Sequence, residues 1–157
     1  MIVGDTEQIV ISTPQDAHRV AEIFYSARAE MRYLPRIHSS EETYQFFSKL
    51  IHDGNIPVCK VGDEIVGFME LENGWLHHLY IAPQFQNKGF GTMMLDYAKR
   101  KSPQGIKLWV FEDNKNAIRF YEREGFILVK KRNIDETTNE ENLPDRLYEW
   151  RPNDKNI

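Results

Sequence analysis

Six consecutive residues, Gln86, Asn87, Lys88, Gly89, Phe90 and Gly91, carry the chemistry most easily read from this chain. They follow the apolar stretch LHHLYIAP and precede the helical pattern TMMLDYAKRK. Two glycines let a backbone bend tightly and approach a ligand with no Cβ in the way. A turn of this kind feeding a helix offers unpaired amides and the positive end of the helix dipole to an anion. Between Gln84 and Leu95 the only formal charge is Lys88, so no carboxylate competes for those donors. The arrangement suits a pyrophosphate.

The commoner pyrophosphate motifs do not fit. A P-loop needs Gly-Lys-Ser/Thr opening the helix, whereas Lys88 precedes the first glycine and Thr92 follows the second with no adjoining lysine. The dinucleotide fingerprint comes closer, because Gly89 and Gly91 match and Glu112 lies 21 residues beyond Gly91, where a ribose-binding acid would sit. Met94, however, fills the third glycine position, and the loop APQFQNK is long for that tight turn.

The elements that must hold the turn follow from hydrophobic period. Residues 8–12 alternate loosely and predict a first strand, after which Thr13 can N-cap a helix with Pro14 at its first position. Val20, Ile23, Phe24 and Ala27 form a helical stripe that continues toward Met31 until Pro35 stops it. Ser39 or Ser40 opens a second helix, with Glu42 or Thr43 three residues on; Phe46, Phe47, Leu50 and Ile51 supply its buried face and Gly54 closes it. The period then changes to two. Residues 56–61, 65–71 and 76–81 predict three strands joined at GDE and ENG, hairpin signals that make an antiparallel meander. The glycine turn starts a helix to about Lys101, IKLWVFE is another strand, and Asn116 to Glu124 is a short helix ended by Gly125. Strands near 126–133 and 146–151 come last, joined by the polar, acidic NIDETTNEENLPD. The order predicts an α+β fold with a mixed, mostly antiparallel sheet of six to seven strands and about four helices. The crossover through the glycine-led helix makes one parallel pair. No internal repeat or linker appears, which predicts a single domain over 1–157.

With 157 residues and 41% hydrophobic content, one well-packed core is expected. A net charge of -4 argues against a nucleic-acid partner, and the clusters Lys99-Arg100-Lys101 and Lys130-Lys131-Arg132 read as solvated faces. No stretch approaches the ~20 apolar residues of a membrane span, and MIVGDTEQIV lacks a basic segment followed by an apolar one; a cytoplasmic protein with no membrane partner is expected. The single cysteine, Cys59, cannot form an internal disulfide and reads as a small buried hydrophobe in IPVCKVG. His77 and His78 are adjacent, hence on opposite strand faces, and none of the five histidines forms a helical i, i+4 pair. No metal site is expected.

Gln86-x-x-Gly89-x-Gly91 after a strand ending in LYIAP resembles the acetyl-coenzyme A binding motif of the GCN5-related N-acetyltransferases (GNAT). NKNAIRFYEREGF, residues 114–126, resembles that family's other hallmark: an Asn, an Ala three residues later, a Tyr four beyond, and Gly-Phe at the helix end. The resemblance covers essentially the whole chain. TNEENLPDRLYEW and MRYLPRIH further resemble a recurrent bacterial subgroup whose acceptor is unassigned.

The resemblance implies the acyl-CoA N-acyltransferase fold, with a mixed sheet between helices in α/β/α layers, and transfer of acetyl from acetyl-CoA, a co-substrate, directly to a primary amine through a ternary complex. The acceptor would be a small molecule or a peptide; a homodimer stays open. A non-catalytic acyl-CoA-binding or regulatory module on the same fold is the alternative. In the enzyme reading, backbone amides of residues 87–92, Thr92 included, hold the pyrophosphate, with contacts from Gln86 and Lys88. The main chain of Leu79, Tyr80 and Ile81 pairs with the pantetheine arm. Asn114 either caps its helix or binds the cofactor arm, with Asn116 the competing cap and Ala117 beside it in the motif. Tyr121 takes the place of the general acid, since a phenol's ordinary pKa near 10 is close to that of a thiol. Glu70 and Glu72, sharing one strand face, and His78 on the next strand are candidate general bases; a solvated face is the competing reading. For the acceptor, Arg28, Arg32 and Tyr33, in the segment that lines the acceptor groove in this family, with Arg36 nearby, suit a carboxylate. Asp135, Glu136, Glu140, Glu141 and Asp145 would instead draw a cation, and plain solvated surface is the leading reading of both sets.

Overall fold

The computed structural model of the protein describes residues 7–152. Residues 1–6, read above as lacking a signal segment, and residues 153–157, part of the expected domain 1–157, lie outside the described residues. Among the described residues, seven strands and four α-helices follow one another in the order β1 (Glu7–Ile11), α1 (Ala17–Ala29), α2 (Ser40–Asp53), β2 (Pro57–Val61), β3 (Glu64–Glu72), β4 (Trp75–Ile81), α3 (Phe90–Lys101), β5 (Ile106–Phe111), α4 (Lys115–Arg123), β6 (Ile127–Arg132) and β7 (Asp145–Trp150). The strands form one mixed sheet in the order β1-β2-β3-β4-β5-β7-β6. The chain groups into two compact units, one running to Leu71 and taking in His78–Asp96, the other made of Glu72–His77 and the described residues from Tyr97 onward. Among the described residues, no helix is long and apolar enough to cross a membrane.

In the first unit, β1 lies antiparallel on β2 and β2 on β3, with an irregularity between Cys59 and Lys60. Thr13 opens a 3₁₀ turn, Pro14–Asp16, rather than the helix itself: Asp16 Oδ2 accepts from Thr13 N–H at 2.8 Å, and α1 begins one residue later. The helix also stops at Ala29, short of Met31, whose N–H turns back to Arg28 O at 2.9 Å. Ser39 caps α2 through a reciprocal box, its Oγ accepting from Glu42 N–H at 3.1 Å while Glu42 Oε1 accepts from Ser39 N–H at 2.8 Å. The Ser39 backbone N–H, followed by the Ser39 side chain, holds the Glu42 carboxyl below its usual range.

The buried face of α2 is Thr43, Phe47 and Ile51, spaced by four. Phe46, expected in that face, is 51% exposed. Consecutive helical residues point about 100° apart, so with Phe47 aimed into the core Phe46 falls at the wet edge of the stripe. Phe47 takes the core with Val20, Ile23, Val58, Ile65 and Phe68. Gly67 is the tight spot on β3, where an added Cβ would come within 2.6 Å of Ile81 Cδ1 and 3.0 Å of the Tyr80 carbonyl oxygen. Cys59 is fully buried, and desolvation, aided by the charge on Glu7, pushes its thiol up to about 11.

In the second unit, Asn73 (φ 51°) and Gly74 (φ 82°) make the hairpin tip, both left-handed as a type I′ turn requires. The strand segment after this tip runs parallel to β5, in register at Trp75 and Lys107. β7, last in sequence, pairs antiparallel with both β5 and β6. Ile106, Leu108, Ile118, Phe126 and Tyr148 are buried here. Two ion pairs fasten the strands: Arg146 Nε to Glu112 Oε1 at 2.5 Å, and Arg132 to Asp145 through a fork of 2.9 and 2.6 Å.

Candidate active site

The glycine turn lies in the first unit. Asn87 (φ 62°) and Gly89 (φ 93°) both adopt left-handed backbone, and nothing lies within 4 Å of the place a Gly89 Cβ would occupy. Gly89 is therefore required by conformation rather than by space. Met93 N–H donates to Gly89 O at 3.1 Å and anchors the glycine to α3. Phe90 is buried and fixes the helix start, while Asn87, Lys88 and Gly89 are exposed. The basic last turn of α3, Lys99, Arg100 and Lys101, complements the dipole whose positive end faces the turn. Gln86 points elsewhere than expected: its Nε2 donates to Ile81 O at 3.0 Å, bracing the turn against the end of β4. That bond also engages one of the strand carbonyls expected to face the pantetheine arm. Leu79, Tyr80 and Ile81 are half-buried and lead into Ala82, whose N–H is held by Val66 O at 2.8 Å.

Glu70 on β3 and His78 on β4 come together, Oε1 to Nε2 at 3.7 Å, with 17% and 20% of their side chains exposed. Aromatic edges surround the imidazole, with Phe47, Phe24 and Phe46 at 5.5, 5.6 and 6.1 Å between ring centroids. Glu72 behaves differently. It belongs to the second unit, where it is exposed and faces His77 Nε2 at 3.4 Å.

The downstream motif lies in the second unit. Asn114 caps α4, its Oδ1 accepting from Ala117 N–H at 3.2 Å. Asn116, the competing cap, instead uses its Oδ1 to accept from the Arg119 guanidinium. The far end closes as a Schellman motif: Phe126 N–H donates to Tyr121 O at 2.9 Å and Gly125 N–H to Glu122 O at 3.2 Å, with Gly125 at φ 95°. The apolar contact that accompanies this motif is Phe126 on Tyr121 itself, 5.4 Å between centroids. Tyr121 is 9% exposed. Lys99 Nζ adds a bond to Glu124 O at 2.8 Å, satisfying a terminal carbonyl of α4.

Of the candidate acceptor residues, Arg28 is half-buried, its Nη1 donating to Tyr80 Oη at 3.3 Å and its Cζ lying 4.9 Å over the Phe24 ring. Tyr33 is half-buried and Arg32 exposed, while Arg36 packs its guanidinium over Tyr25. The acidic set does not act as one surface. Asp145 is 2% exposed and neutralised by Arg132, so it offers nothing to a cation in solvent. Asn139, unremarked in the sequence, organises the connection before it, accepting from Leu143 N–H at 3.1 Å and donating to Leu143 O and Asp145 Oδ2 at 2.7 and 3.1 Å. An Asn in a long polar loop ahead of a strand was the only signal that could have found it. Glu112, the would-be ribose acid, is held by Arg146, whose hydrogen bond depresses its carboxyl below the usual range.

An uncharacterised N-acetyltransferase of Methanocaldococcus jannaschii is 32% identical over 98 residues, or 53% of this chain and 43% of that protein. The peptidyl-lysine N-acetyltransferase YiaC of Escherichia coli is 30% identical over 88 residues, 55% of this chain and 57% of its own length. The chain spans about half the length of the curated relatives it matches. Among solved structures, apo YjaB of Escherichia coli superposes with a TM-score of 0.71 at 21% identity, covering 92% of this chain and 97% of that one. A GNAT acetyltransferase of Bacillus cereus gives 0.73 at 16% identity, covering 94% and 98%. At those identities the likeness establishes the acyl-CoA N-acyltransferase fold. The family model described as Acetyltransferase (GNAT) family matches residues 20–126, from α1 through the Gly125-Phe126 stop of α4, and the chain belongs to that family.

Proposed function

We propose that the protein is a cytoplasmic N-acetyltransferase that moves acetyl from acetyl-CoA directly to a primary amine of a small molecule or peptide within a ternary complex. The observation that carries this reading is the left-handed turn at Asn87 and Gly89, which presents exposed backbone at the start of α3 in a chain of this family. Amides of residues 87–92 hold the pyrophosphate, and Lys88 adds a mobile positive charge. The main chain of Leu79, Tyr80 and Ile81 lies along the pantetheine arm, and Asn114, whose Oδ1 is committed to its helix, contacts that arm through its NH₂.

The amine must lose a proton before it attacks. Glu70 and His78 form the proton-accepting pair; exposed Glu72 is the weaker candidate. The amine nitrogen then bonds to the acyl carbon, the C–S bond breaks, and Tyr121 supplies the proton that turns the departing thiolate into coenzyme A thiol. No covalent enzyme intermediate forms. Peptide acceptors are the chemistry named for YiaC and YjaB, and a small polyamine that named for the spermidine acetyltransferase SpeG, a fold neighbour.

Incubation with acetyl-CoA and a panel of amines, scored by thiol release and product mass, tests the proposal. Acceptor-dependent release with one acetyl added to the amine is expected. Tight cofactor binding with no turnover on any small amine, peptide or protein N-terminus would instead make the chain a binding module. Failure to bind acetyl-CoA overturns both.

A further inference from the structure

In the second unit a chain of four polar side chains joins the approach to α4 with its last turn by way of β7. At the near end is Glu112, two residues ahead of the Asn114 cap. Its Oε1 accepts from Arg146 Nε at 2.5 Å, and its N–H donates to Pro144 O at 2.9 Å. Arg146 Nη1 makes a longer bond to Tyr148 Oη, 3.4 Å, and Tyr148 Oη donates to Glu122 Oε2 at 2.7 Å in the last turn of the helix. Arg146 and Tyr148 stand two apart on β7 and so project from one face of that strand. The strand beneath them is held on both sides. Tyr148 lies opposite Leu108 of β5 and Leu128 of β6, and Arg146 opposite Val110 and Lys131. The Tyr148 ring is fully buried. Burial, and then the bond to Glu122, push its phenol above the ordinary range, which keeps it a donor.

We infer that Tyr148 is a positioning residue for acetyl transfer: through Glu122 it sets the rotation of α4, and with it the place of the Tyr121 hydroxyl. The inference rests on the acetyl-transfer reading with Tyr121 as the acid. Neighbouring helical residues leave the axis about 100° apart, so tying the Glu122 side chain to β7 fixes the direction in which Tyr121 leaves it. One tie alone would let the helix pivot. The second lies ahead of the first turn, at Glu112, and Arg146 connects the two by bonding both Glu112 and Tyr148. The Schellman closure does not replace this hold, because its bonds, Phe126 N–H to Tyr121 O and Gly125 N–H to Glu122 O, fasten the helix end to itself rather than to the sheet. Proton delivery to a departing thiolate is sensitive to such placement, since a displacement of about 1 Å costs up to about 100-fold in rate. Glu122 is exposed, so water can take over the lost donor and the bond contributes direction more than stability.

The test is a double-mutant cycle on the full chain, read by thiol release from acetyl-CoA with an accepted amine. Tyr148→Phe keeps the buried ring and removes the donor; it should lower kcat about tenfold while KM for acetyl-CoA stays within about twofold of the parent. Glu122→Ala should match it, and Glu122→Gln, which still presents an acceptor oxygen, should stay close to the parent. In a Tyr121→Phe background neither Tyr148→Phe nor Glu122→Ala should lower kcat further, because the hydroxyl they place is gone. A role in stability alone would subtract the same factor in both backgrounds. Thermal melts accompany the kinetics, and if Tyr148→Phe does not fold, Glu122→Ala at its exposed position carries the cycle. Undiminished kcat in both single variants, or an equal loss in both backgrounds, overturns this inference and leaves acetyl transfer standing. Full turnover by Tyr121→Phe, or no turnover by the parent protein with any amine, removes the reading beneath it and the inference as well.

Discussion

Tyr121 is held, among other contacts, by its carbonyl in the Schellman closure of α4 and by its ring against Phe126. Both holds survive replacement by phenylalanine, which removes only the hydroxyl. Tyr121→Phe should therefore unfold at a temperature close to the parent while kcat drops about 100-fold, the lower range for loss of a general acid; thiol-release kinetics beside a thermal melt check this. Full turnover in a folded variant would take the acid role away. The other end of α4 shows what single residues conceal. Asn114 and Asn116 are equally good caps on paper, and only the chain's entry into the helix, with Asn114 N–H on Phe111 O at 3.0 Å, gives the cap to the first. Asn114→Ala should cost about 1 kcal/mol of stability, read by denaturant titration. Asp145 was likewise illegible. It sits in an acidic stretch of sequence, but cross-strand register places it opposite Arg132, and pairing across a sheet leaves no trace in local spacing.

At the scale of elements, period and punctuation carried most of the information. The Ser39–Glu42 box, the change from helical to alternating period at residue 56 and the Asn73-Gly74 turn each have a local cause, and each recurs in the structure. What local causes do not contain is order within the sheet: nothing between residues 126 and 150 says that β7 enters between β5 and β6. Nor does a helical stripe say which edge of it is wet, which is why Phe46 was expected inside. Gly67 is a further instance, an ordinary glycine in an alternating run whose purpose is the approach of β4 and of Met94 on α3, 3.2 Å from its absent Cβ. Gly67→Ala should destabilise by about 1–3 kcal/mol, as overpacking does, because the Tyr80 carbonyl cannot move aside like a flexible side chain. Chemical denaturation measures it, and an unchanged midpoint would show that the strands shift freely.

For the molecule as a whole, acid is the condition that distinguishes folded from unfolded chain most simply. The Arg146 hydrogen bond lowers the Glu112 carboxyl below its ordinary value near 4.5. In that window the unfolded chain binds the proton and the folded one does not, so this pair stabilises fully above the ordinary value and loses its effect as pH falls through the depressed one. Thermal midpoints should fall as pH drops below about 4.5, and less steeply in Glu112→Gln, which has no proton to take up. Glycine turn, cap and helix stop were readable without any structure because each is a short-range pattern, whereas the bond from Arg28 to Tyr80 joins groups far apart in sequence. Cys59 leads to a last consequence. A chain proposed to handle an activated thioester carries one thiol of its own. Buried within β2 with its thiol raised to about 11, it is held almost wholly as the thiol at neutral pH. The chain is thereby protected from acylating itself, and rapid-mixing experiments without an acceptor should show no burst of free coenzyme A.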